Sequence, residues 1–160
     1  MAHENEDLLR RFYDAFGRHD GEEMAACYAP GAHFSDPVFT DLSGEEPAAM
    51  WKMLTARAAD LEVKLVAHGA GEETGTAHWL ADYTFTQTGR KVHNDIRATF
   101  RFTGGLIAEH RDEFSFGAWS RQALGPIGLA LGWTPLLKAK VRRQARQSLD
   151  EFMAGRPQAG

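Results

Sequence analysis

The chain has 160 residues, a formal net charge of −4, 43% hydrophobic and 25% charged residues. That suits one folded domain with a sizeable core, and it argues against intrinsic disorder and against a global nucleic-acid footprint. A lone Cys27 rules out an internal disulfide and a paired-cysteine zinc site, the polar start MAHENEDLL does not read as a secretory signal, and no apolar run is long enough to cross a bilayer; a reducing, cytoplasmic setting is the expectation.

Taken in chain order, residues 5–18 place Leu8, Leu9, Phe12, Tyr13 and Phe16 at helical spacing. Asp20 reads as the N-cap of a second helix with Glu23 as its capping-box partner, Met24, Cys27 and Tyr28 as its buried side and Pro30-Gly31 as its end. A short strand from Ala32 to Asp36 is stopped by Pro37, and residues 41–46 read as a loop. Pro47 opens a third helix over 47–60. Three alternating segments follow at 61–68, 76–88 and 92–102; the last is nearly a pure period of two, the mark of a strand with one wet face. Gly104-Gly105 predicts a hairpin turn, and residues 106–116 a returning strand with Ala108, His110, Asp112, Phe114 and Phe116 on one face. Residues 125–135 are apolar chain punctuated by Gly and Pro, and Thr134-Pro135 opens a last amphipathic helix to about 154. Helices first and antiparallel strands later imply an α+β layout.

Three stretches carry a family resemblance: FYDAFGRHD at 12–20, HFSDPVF at 33–39 and TGRKVHNDIRATFRFTGGLIAEHRDEF at 88–114. Their order resembles the SnoaL-like, nuclear-transport-factor-2-like superfamily, which includes the ketosteroid isomerases. The resemblance implies an α+β cone: a curved antiparallel or mixed sheet wrapped around helices, with an internal apolar pocket. It implies a domain over residues 1–120, with 121–160 as a C-terminal helical extension packed on the same domain or on a dimer partner. Fold alone does not name an activity, because members include isomerases, hydrolases, cyclases and scaffolds.

On the predicted inner face four polar residues stand out, and these are the candidate catalytic set: Asp36, Asn94, His110 and Asp112. Asp36 resembles the general base of ketosteroid isomerases, which sits in a similar DPV setting; the competing reading is an aspartate capping the turn before Pro37. Phe12 and Ala98 stand where the isomerase has its oxyanion donors, so isomerase activity is not implied. Asp112, in HRDEF, resembles the water-activating aspartate of limonene-type epoxide hydrolases, but Trp79 and Ala81 replace that site's arginine and aspartate. His110 with Asp112 resembles the acid/base pair of SnoaL-type cyclases; the competing reading is a buried pair that satisfies itself. Phe12, Phe16, Phe34, Trp51, Trp79, Tyr83, Phe100 and Phe114 are the candidate ligand wall. His33, His78 and His93 fall on outward faces.

The expected ligand is a small apolar, oxygen-bearing molecule, handled by acid/base chemistry without cofactor or metal, or held by a non-catalytic binding or scaffold module of the same fold. The resemblance also implies a homodimer through the outer sheet face, near Asp95, Arg97 and Arg101, with no nucleic-acid partner. Residues 136–160 hold six basic against two acidic side chains, a net +4 that leaves −8 for the rest. The reading preferred from sequence is that this helix lies over the acidic body or its dimer mate; contact with an anionic membrane is the alternative.

Overall fold

The computed structural model describes residues 3–159, with side chains to Gly155; Arg156, counted in the basic tail, therefore has its side chain outside the described residues. Helix α1 spans Glu4–Gly17 and α2 spans Gly21–Ala26. Strand β1 (Tyr28–Ser35) is followed by the two-residue β2 (Leu42–Ser43) and by α3 (Glu46–Arg57). The meander β3 (Glu62–Ala70), β4 (Thr74–Phe85), β5 (Arg90–Thr103) and β6 (Leu106–Glu113) comes next. Helices α4 (Phe116–Leu124), α5 (Pro126–Leu131) and α6 (Pro135–Ala159) complete the chain.

All six strands form one sheet in the order β2-β1-β6-β5-β4-β3. Every neighbouring pair is antiparallel except β1 with β6, which run parallel. The sheet curves around α1 and α3, giving the α+β cone expected from the sequence. Burial on β5 alternates: Val92, Ile96, Ala98, Phe100 and Phe102 point inward while Arg97, Thr99 and Arg101 are exposed. The Gly104-Gly105 turn has φ of 59° and 78°, left-handed at both positions as a two-residue type I′ hairpin requires. Asp20 caps α2 by accepting the Glu23 N–H at 3.0 Å, although the Glu23 carboxylate turns to Arg11 rather than back to the cap.

Four expectations need correcting. Helix α2 ends at Ala26, so Tyr28 opens β1 instead of lying on a helix. Residues 41–46 contain β2, paired through Leu42 to Phe34. Strand β6 stops at Glu113: Ser115 accepts the Ala118 N–H at 3.1 Å and caps α4, so Phe116 belongs to a helix. The Gly/Pro-rich stretch beyond it forms α5. There Gly128 packs so tightly on α4 that a Cβ would sit 1.9 Å from the Ser120 carbonyl oxygen.

The final helix folds back over the body. Arg142 donates to the Pro37 carbonyl at 3.0 Å, and Arg146 pairs with Glu46 of α3. Its own Val141 and Leu149 are buried.

Candidate functional site

The inner end of the cone is a packed aromatic cluster. Phe12 is fully buried and meets Tyr28, Trp51 and His110 edge-on, with ring centroids 5.7, 5.7 and 5.8 Å away. Phe34 and Phe100 close on the same imidazole at 4.9 and 4.3 Å. His110 is there because β6 places it opposite Phe34 on β1 and Phe100 on β5.

Within that apolar shell runs one hydrogen-bonded chain. Trp51 Nε1 donates to the Tyr28 hydroxyl at 2.7 Å. The hydroxyl lies 2.7 Å from His110 Nδ1, and His110 Nε2 lies 2.8 Å from Asp112 Oδ1. Only one assignment satisfies every group. The tyrosine O–H donates to Nδ1, and the Nε2–H donates to the carboxylate, so the imidazole is neutral with its proton on Nε2. A doubly protonated ring would leave the hydroxyl proton without an acceptor. Burial holds the Tyr28 phenol well above its ordinary pKa, which keeps it a donor.

Next to this cluster opens a cavity of about 280 Å³, lined largely by apolar side chains from α3, β4, β5, α4 and α6. Asp36, Asn94 and Asp112 line it, as do Phe16, Trp51, Trp79, Tyr83 and Phe114. Three of the four polar candidates thus meet in one space. His110 does not reach it: its side chain is fully enclosed behind Asp112. Phe12, Phe34 and Phe100 also fall outside the cavity wall, because they enclose His110 instead. His33 and His93 are exposed and His78 half-buried, and the last two pair with Asp82 and Asp95 across the outer face: His93 with Asp82 at 2.7 Å and His78 with Asp95 at 2.8 Å.

Asp36 follows the end of β1 and is half-buried. Its Oδ1 accepts the backbone N–H groups of Val38 at 2.7 Å and Phe39 at 2.6 Å, the turn-capping role open to an Asp before Pro. Its Oδ2 has no hydrogen-bond partner among the described residues and is the oxygen left for the cavity. Burial pushes this carboxyl up to about 7; repulsion from Asp112 adds to the rise, while the two backbone donors and Arg142 oppose it. Both readings of Asp36 therefore hold, one on each oxygen.

Trp79 Nε1 is buried without an acceptor. Tyr83, also on the wall, accepts from Trp119 Nε1 at 2.8 Å. Tyr28 is the functional residue that sequence reasoning missed. The available signal was that an aromatic two residues before Pro30-Gly31 suits a strand start as well as a helix end. A wider open groove of about 930 Å³ runs past His33, Thr76, Thr99, Arg101 and Arg111, and Phe34, Phe100 and His110 also contribute to its lining. Among the described residues no three His, Cys, Asp or Glu side chains cluster closely enough to hold a metal ion.

A model of the SnoaL-like domain matches residues 9–110. The chain belongs to the SnoaL-like family. Solved structures with the same fold include an LEH-like epoxide hydrolase from M. tuberculosis, 18% identical, with a TM-score of 0.64 over 80% of this chain and 96% of that one. IdmH of Streptomyces antibioticus, proposed as a polyketide cyclase, is 20% identical with a TM-score of 0.62 over 75% and 98%. A Catenulispora acidiphila protein of ketosteroid-isomerase-like fold, in complex with trimethylamine, is 15% identical with a TM-score of 0.65 over 81% and 98%. At these identities the likeness is one of fold. No protein of curated function matches the chain. The SnoaL-like match ends at His110, so Asp112 and the helices that roof the cavity lie beyond it. No described helix of this SnoaL-like chain is long and apolar enough to cross a membrane.

Proposed function

We propose that this protein binds a small, apolar, oxygen-bearing molecule in the cone and moves protons on it with Asp36 and Asp112. The observation that carries the reading is the pair of carboxyl groups on one mostly apolar cavity, one of them titrating at about 7. A group poised near neutrality serves as acid or base equally well, which is what proton transfer next to a carbonyl or hydroxyl requires. Asp112 is oriented by the His110–Tyr28–Trp51 chain, so His110 acts as a positioning residue and not as a catalytic one. Asn94, and the unpartnered Trp79 N–H, would receive ligand oxygens. The volume lies near the lower end for ligand pockets, which favours a compact substrate. Such proton transfers draw only on side-chain groups. We place the protein in the cytoplasm, where its buried Cys27 thiol stays reduced, and propose a homodimer through the outer sheet face.

A binding module without turnover is the second reading. It is favoured by Phe12, Trp79, Ala81 and Ala98, apolar where the resembled enzymes carry catalytic groups.

Native mass spectrometry of the protein from its own host, followed by denaturing extraction, tests both. A retained apolar compound bearing a carbonyl or hydroxyl group is expected. Incubating that compound with wild type and with D36N/D112N separates the readings. Conversion by wild type, lowered by about 10²-fold or more in the double variant, supports acid/base chemistry; a compound recovered unchanged from wild type identifies the binding module.

A further inference from the structure

Helix α5 is inside out. Its glycine face, Gly128 with the following Gly132, packs on Ser120 of α4 at backbone contact distance. The large residues Ile127, Leu129 and Leu131 point to solvent instead. A six-residue helix in water normally buries its leucines and exposes its small residues, so burial within this chain does not account for the choice. The exposed apolar surface continues into Trp133, 81% accessible, and Leu136, 83% accessible. Contiguous apolar patches of this kind mark contact surfaces.

The chain segment that carries the patch has charge of one sign. Between Glu113 and Asp150 there is no acidic residue, while Arg121, Lys138, Lys140, Arg142, Arg143 and Arg146 are all basic. Arg142 and Arg146 are engaged with the body. Lys140 and Arg143 are exposed and make no ion pair among the described residues, and with Leu136 they occupy i, i+4 and i+7 of α6, one face of the helix. The opposite side of α6 folds onto α3 and leaves the Leu136–Lys140–Arg143 face uncovered.

We propose that α5 and the start of α6 form a docking surface for an anionic lipid bilayer. Ile127, Leu129, Leu131, Trp133 and Leu136 enter the interface, and Lys140 and Arg143 meet lipid phosphate and carboxylate groups. An apolar projection carried by a segment whose only charges are cations matches this occupant on both counts, whereas a protein partner of mixed charge matches only the apolar part. The short apolar segment lies on the bilayer rather than crossing it. The surface stands independently of what the cavity does.

The test is co-sedimentation of the full chain with phosphatidylcholine vesicles, with and without phosphatidylserine, together with tryptophan fluorescence. Trp51, Trp79 and Trp119 are buried, so a blue shift on adding vesicles reports Trp133. Retention on the phosphatidylserine vesicles is expected to exceed that on phosphatidylcholine alone and to weaken with salt. K140Q/R143Q should lower it by roughly thirtyfold, about fivefold per charge. W133S/L136S should lower retention on the phosphatidylserine vesicles while leaving the thermal melt unchanged, because both residues are exposed. Absent or charge-independent retention overturns the proposal. So does a native-mass dimer that W133S/L136S converts to monomer, which would assign the patch to a second copy of the chain.

Discussion

Asp112 and Asp36 are the same side chain on the wall of one cavity, and they are held in opposite ways. Asp112 sits against a sealed aromatic cluster in which Trp51, Tyr28 and His110 have no unmet donor or acceptor toward one another. Asp36 sits on a turn with one oxygen fixed by two backbone donors and the other left over. Orientation comes from the first arrangement and adjustable protonation from the second. A fold that held both carboxyls as Asp36 is held would lose the orientation that the His110 chain supplies.

The contrast can be broken most severely from the sealed end. Phe34 is fully buried against His110 and Trp51, so Phe34→Ala is expected to cost about 3–5 kcal/mol in urea unfolding. The same truncation at the half-buried Phe39, beside Asp36, should cost less than half as much.

The open end is broken through pH. The Asp36 pKa is raised from 3.8 to about 7 in the folded protein. The native state therefore holds a proton that the unfolded chain releases, and stability from this group is full below about 4 and lost as pH rises through about 7. Asp36→Asn keeps an oxygen for Val38 and Phe39 but removes the titration. It should flatten that slope and stabilise the protein by at most about 4 kcal/mol above the folded pKa, measured as denaturation midpoints across pH. A carbon-13 titration placing Asp36 in the ordinary carboxylate range would remove the basis of the comparison.

Tyr28→Phe tests the relay more gently. It leaves Trp51 Nε1 and His110 Nδ1 without their shared partner and should cost about 1–3 kcal/mol, with the imidazole proton no longer confined to Nε2 in nitrogen-15 spectra. Asn94→Ala should be the mildest change, within about 0.5 kcal/mol, because its side chain faces the cavity without a hydrogen-bond partner among the described residues. Any loss it causes should appear in ligand retention instead.

The sequence made the faces legible but not the depths. A period of two on β5 and β6 correctly turned Asn94, Ala98, Phe100, His110 and Asp112 inward. It carries no record of distance along the cone, and so His110, Phe12, Phe34 and Phe100 could not be separated from the residues that border open space. Tyr28 was hidden because α2 ends one turn sooner than its apolar spacing suggests; the strand that claims Tyr28 is paired to residues far along the chain. Phe114 and Phe116 continue the alternation of β6 past its true end, and only the Ser115 cap shows the turn into α4. Asp36 was readable as a base or as a turn cap because a carboxylate has two oxygens to divide between the tasks.

The parallel pairing of β1 with β6 sets an order of assembly. Hairpins β3–β4, β4–β5 and β5–β6 join neighbours in sequence, and their loops are short to close. Tyr28 and His110 are 82 residues apart, so their contact waits until that meander exists to receive β1. During synthesis the N-terminal third of the chain, carrying Phe12, Tyr28 and Phe34, must emerge and lack its partner on β6 until His110 leaves the ribosome. The relay that orients Asp112 is thus among the last native contacts to form, and a nascent chain stalled before β6 presents its most aromatic surface to the cell.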